Sequence, residues 1–170
     1  MNFFSDIRRL LLILWLGAAC FFSFAVAPSA FSILPSREIA GAMVSQTLAI
    51  VNYSGLIIGL ILLASAFVGQ INVNRFRLWT ERVVLLVLTL ACAAGQFVIA
   101  LWLSVIKSQI GRPIDEVALD DPLRIQFNNF HQYSVWALAA AMIAALIAYF
   151  LMAHGREKIL TTGKTNVEYN

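Results

Sequence analysis

The sequence predicts an all-α integral membrane protein: a four-helix bundle with both termini on the cytoplasmic side. Three observations carry that prediction. First, 61% of the 170 residues are hydrophobic and only 12% charged, whereas a soluble domain carries about 25% charged residues. Second, the charges are segregated. Leu10 to Ser36, Ile39 to Asn74 and Val83 to Ile106 hold none, and after Arg124 the next formal charge is Arg156. Each gap holds a helix of about 20 apolar residues, enough to cross a hydrocarbon core of about 30 Å. Third, Arg8, Arg9, Arg75, Arg77, Arg82, Arg156, Lys158 and Lys164 fall on one side of such a topology. Only Arg37, Lys107, Arg112 and Arg124 fall on the other. The positive-inside rule then places both termini in the cytoplasm. Backbone groups in lipid must be satisfied within the segment, which favours helices, and long unbroken apolar runs are the wrong pattern for a β-barrel.

The first helix is expected over about 10–31, with Pro28 kinking its last turn. Arg8 and Arg9 precede the apolar run and Ala25-Val26-Ala27 imitates a cleavage site. However, Pro28 follows directly and the run continues to Leu34, so the helix is read as retained. Pro35 is placed at the first position of helix 2, over about 39–68. Phe76 and Trp79 in the second loop suit the headgroup zone. Helix 3 is expected over 83–106. Asp121 and Pro122 are a capping carboxylate and a first-turn proline for helix 4, over about 122–153. Helices 2 and 4 are long enough to project beyond the bilayer on the outer side. Residues 1–153 thus form the transmembrane domain. Gly155 is read as the stop, leaving 154–170 as a polar cytoplasmic tail. The third loop, with Asp115, Glu116, Asp120 and Asp121, faces outward.

The net charge of +3 does not indicate nucleic acid, because the basic residues sit in short loops. Cys20 and Cys92 lie inside apolar segments and are expected to be reduced, with no CxxC pair. His131 and His154 would lie about 35 Å apart on one helix, too far to share a haem. No HExxH, GxSxG or phosphate-cradling loop is present. No cofactor, metal or enzymatic activity is therefore expected.

The sequence features that invite function are few. Arg124, Phe127, His131, Ser134, Leu138, Ala141 and Ala145 recur at three- and four-residue spacing and share one helix face. Polar groups at membrane depth are costly, so Arg124, His131 and Ser134, with Asn52 of helix 2 at similar depth, form the candidate polar site. His131 is expected to face helices 1 and 2. It either fixes helix register by a hydrogen bond or lines an outer vestibule. Gln96 is expected to make one interhelical hydrogen bond. Gly55 and Gly59 form a GxxxG that permits close packing, within one bundle or between copies. Ala137, Ala141 and Ala145 offer a matching small surface on helix 4.

The string Gly17 to Phe22, then Phe24-Ala-Val-Ala-Pro28-Ser-Ala-Phe31 and Leu34-Pro35, resembles the first helix of the transmembrane protein 205-like family. Arg124-Ile-Gln-Phe127-Asn-Asn-Phe130-His131-Gln-Tyr-Ser134 resembles its fourth-helix pattern. Leu138 stands where some members carry Asn, which shortens any polar track. The resemblance implies a fold and a membrane address rather than an activity. The expected role is a non-enzymatic accessory or oligomerising protein of the inner (plasma) membrane. Its expected partners are the lipid bilayer and a homo-oligomer or larger membrane complex. The alternative is a transporter or exporter of a small solute or metal ion, with its outer polar site around His131.

Overall fold

The computed structural model describes residues 3–67 and 75–165, with side chains as far as Ala153. The expected helix 2 end at Val68, loop residues 68–74 and tail residues 166–170 lie outside the described residues. The chain is all-helical, with no strand among the described residues. Among the described residues, four helices are long and apolar enough to cross a membrane. They are α1 (Phe3–Ile33), α2 (Arg37–Ser65), α3 (Arg75–Ile110) and α4 (Pro122–Thr165).

Every helix departs from its expected bounds for a local reason. α1 begins before Leu10, with Asp6 in its first turn and an Asp6–Arg9 pair at 3.8 Å. A carboxylate there complements the helix dipole. Pro28 does not simply kink the last turn. A π-helical turn, Phe22–Val26, precedes it, and the Ala27 N–H donates to the Phe22 carbonyl. Proline has no N–H and crowds the carbonyl four residues back, so the wider turn absorbs the mismatch and the helix continues to Ile33. Pro35 is not in the first turn of α2. Ser36 caps that helix instead, in extended conformation, its Oγ accepting from the Ile39 N–H at 3.2 Å. A hydroxyl can satisfy an orphan amide where proline cannot.

α3 starts at Arg75 rather than Val83 and contains a second π-helical segment, Ala94–Ile99. Its end requires glycine: Gly111 has φ 63°, and its N–H donates to the Lys107 carbonyl at 3.2 Å. Asp121 behaves as expected, its Oδ1 accepting from the Leu123 N–H at 2.8 Å. α4 does not stop at Gly155 but runs to Thr165. One interior glycine costs only about 1 kcal/mol against alanine, and Arg156 to Leu160 is a run of helix formers.

α1 packs against α2 and α4, and α3 packs against α2 and α4. The core comprises Leu12, Trp15 and Ala19 of α1, Val51 and Leu62 of α2, Leu85, Leu88 and Cys92 of α3, and Ala141, Ala144, Ala145 and Ala148 of α4. In lipid, apolar burial between helices gains little, so close van der Waals fit decides the packing. The alanines of α4 allow that approach to α3 and α1.

The glycine pair is used inside the chain. A Cβ on Gly55 would lie 2.6 Å from the Trp15 Nε1 and 2.7 Å from the Cys92 Sγ. On Gly59 it would lie 2.5 Å from the Thr89 Oγ1. The bare backbone at Gly55 lets the buried Trp15 indole donate to the Val51 carbonyl, four residues earlier, at 2.9 Å. The surface matching Gly55 and Gly59 is therefore on α1 and α3, not the expected Ala137, Ala141 and Ala145. The last two alanines are buried, while Ala137 is half-buried.

Candidate functional site

Arg124, His131, Ser134 and Asn52 do not converge. The Arg124 guanidinium donates to the Val117 carbonyl and so clips the loop onto α4. His131 is exposed. Its ring lies parallel to that of Phe127, one turn earlier on the same helix, at 6.5 Å between centroids. Among the described residues it makes no hydrogen bond to another helix. Its neighbourhood belongs to α3 rather than to the expected α1 and α2. The Lys107 Nζ lies 5.7 Å from the Phe127 ring, and Trp102 stacks on Phe130 at 5.7 Å. Ser134 is half-buried on the same helix. Asn52 is buried elsewhere, against Gly95 in the π-helical segment of α3, where a Cβ would meet its Nδ2 at 3.1 Å. The Gln96 side chain, next in the chain after Gly95, is half-buried and makes no hydrogen bond among the described residues. The physical reason is that α2 and α4 each pack mainly against α1 and α3 rather than against one another, and Asn52 lies against α3.

The polar groups that do converge lie at the opposite end of the molecule. Arg8 of α1 pairs with Glu81 of α3 at 2.6 Å, and their side chains are only 14% and 4% exposed. Arg9 donates to the Met152 carbonyl of α4. Arg77 of α3 places Nε and Nη2 on the Leu151 carbonyl at 3.0 and 2.6 Å. Arg82 places the same two atoms on the Ala66 carbonyl, at the end of α2, at 3.3 and 3.0 Å. Its guanidinium also lies 4.3 Å from the Phe67 ring centre. Arg8 thus ties α1 to α3, while Arg9, Arg77 and Arg82 tie down the ends of α4 and α2.

Guanidinium suits this role, because its planar fork offers five donors and holds its charge. The cluster is not balanced. Asp6 and Glu81 are the carboxylates in ion pairs at this end among the described residues. The Nε atoms of Arg8 and Arg9 are buried without an acceptor there. Chemically, such a cluster anchors helix ends and attracts anions.

Reading charge only as topology misses this cluster. A signal was present: Glu81 is the single acid between Arg75 and Arg82, and Leu85 and Leu88 repeat its position one and two turns on. That spacing puts Glu81 on the core-facing stripe.

The family model described as Domain of unknown function (DUF4149) matches residues 10–112, more than half the chain. The chain belongs to the DUF4149 family. The match covers most of α1, all of α2 and α3, and ends before α4. Arg77, Glu81 and Arg82 lie within the DUF4149 region; Arg8, Arg9 and the His131 stripe lie outside it. No curated protein and no solved structure matches the chain.

Proposed function

We propose that this DUF4149 protein is a non-enzymatic accessory protein of the inner membrane, working as a four-helix bundle within a homo-oligomer or larger membrane complex. The observation that carries this reading is the closed interior. Leu12, Trp15, Leu62, Leu85 and Leu88 are buried where the four helices meet. Thr89, a buried polar residue of the spans, spends its hydroxyl on the Leu85 carbonyl at 2.8 Å. A transporter needs polar groups or broken helices through its middle. Here the mid-span polar residues are few, among them buried Asn52 and Thr89 and half-buried Gln96, and the charged groups lie towards the two ends. Reconstituted in sealed vesicles, the protein should pass small cations, anions and neutral solutes no faster than protein-free vesicles. Cross-linking in native membranes should yield a discrete larger species. Solute flux that disappears in His131→Leu would replace this reading with the exporter alternative.

The proposal includes an orientation, with the Arg8 end in the cytoplasm. α2, with 29 residues, is about 44 Å long at the helical rise, so its Arg37 end projects outside, as does the start of α4. A reporter fused after Asn170 should be active in a cytoplasmic format and silent in a periplasmic one. The reverse result would invert the topology. We extend the family reading to the transmembrane protein 205-like pattern on the spacing of Arg124, Phe127, His131 and Ser134, a string beyond the DUF4149 match.

A further inference from the structure

A groove of about 260 Å³ runs between the Arg8 ends of α3 and α4, lined by Arg77, Ile147, Phe150 and Leu151. The three α4 residues are spaced as one helix face. Ile147 and Phe150 are about half exposed, so the groove opens away from the core, and Ile147 lies one helical turn further from the Arg8 end than Leu151. The groove is therefore a shallow apolar surface with one cationic end.

That cation has unused capacity. Arg77 directs Nε and Nη2 at a single carbonyl, which leaves three of its five N–H groups for a second acceptor. A carbonyl is only a partial charge. The ion pairs among the described residues are Arg8–Glu81, Arg9–Asp6 and Arg37–Asp115, and none includes Arg77. Arg9 adds like charge at the next carbonyl along α4. Phe76 and Trp79, on either side of Arg77 in the chain, are largely exposed, as aromatic residues at headgroup depth are.

We propose that this groove binds an anionic glycerophospholipid, its phosphate on Arg77 and one acyl chain along Ile147 and Phe150. Guanidinium pairs with phosphate through two parallel hydrogen bonds. The apolar wall gives the chain a seat that a free phosphate would leave empty. The excess positive charge selects a net-negative headgroup over a zwitterionic one.

The test uses the full chain in detergent, with bound lipid counted by native mass spectrometry. Phosphatidylglycerol should bind, and phosphatidylcholine should bind markedly less. Arg77→Gln should weaken phosphatidylglycerol binding roughly tenfold, the scale of one hydrogen bond to a charged group. Ile147→Trp fills the groove while leaving Arg77 intact and should weaken binding similarly, so it decides the matter if Arg77→Gln does not fold. Arg112→Gln, at the other end, should change nothing. Equal binding of both lipids would overturn the site. So would displacement of phosphatidylglycerol by inorganic phosphate, or unchanged binding in Ile147→Trp.

Discussion

Glu81→Leu is expected to destabilise the protein by about 3 kcal/mol, because it leaves the Arg8 guanidinium buried without its counter-charge. The basis is the 2.6 Å contact between two side chains almost removed from solvent. Such a pair is worth little net when formed, since desolvation offsets most of the attraction. Breaking one partner is what costs. Arg8→Met combined with Glu81→Leu should therefore recover most of the loss. Reversible unfolding in mixed detergent micelles would measure all three proteins. A loss below about 1 kcal/mol for Glu81→Leu would place the pair in the weak, solvent-screened class. Arg8 would then reach water by extending its side chain.

The second large effect is expected at Gly55. Gly55→Leu should cost about 3 kcal/mol, combining overpacking with loss of one interhelical hydrogen bond. Even the first added carbon overlaps the Trp15 indole and the Cys92 sulfur. The indole is rigid and cannot fold aside, so α1 must move away from α2 and the Trp15–Val51 hydrogen bond is lost. Trp15→Leu should partly rescue Gly55→Ala, giving a favourable coupling in a double-mutant cycle. Gly41 provides the control. It is helical and has nothing within 4 Å of a built Cβ, so Gly41→Ala should be neutral or slightly stabilising. If Gly55→Ala melts like Gly41→Ala, the close approach of α1, α2 and α3 is wrong.

These two sites differ in how legible they were. The GxxxG advertises close packing through its spacing alone, but the spacing names no partner. Alanines at 137, 141 and 145 looked equally suited to meet it. The partner was chosen by the order of helices around the core, which places α1 and α3, not α4, beside α2. The arginine cluster was hidden for a different reason. A basic residue near a membrane end has the same signature whether it faces water or folds back onto a carbonyl. Local patterns do not carry that distinction, although the position of Glu81 on the stripe of Leu85 and Leu88 hinted at it.

The polar stripe of α4 taught the converse. Arg124 and His131 do share a face, as their spacing requires. Sharing a face does not supply a partner, and the helices of His131 and Asn52 pack mainly against α1 and α3 rather than against each other. The π-helical turns were also beyond periodicity. Pro28 marks the first in the sequence, but whether a proline kinks, breaks or widens a helix depends on what its neighbours can accommodate.

The all-helical class, the four membrane-length segments and the Asp121 cap are legible in the order of residues alone. These rest on composition, uninterrupted apolar length and the hydrogen-bonding capacity of single side chains, all of which are local. Which helices are neighbours, that Gly55 receives an indole, and that Arg8, Arg9, Arg77 and Arg82 turn inward on Glu81 and three helix carbonyls follow from long-range packing. Those outcomes depend on contacts between residues as many as 143 positions apart, set by the mutual fit of whole helices. No window along the chain contains that information.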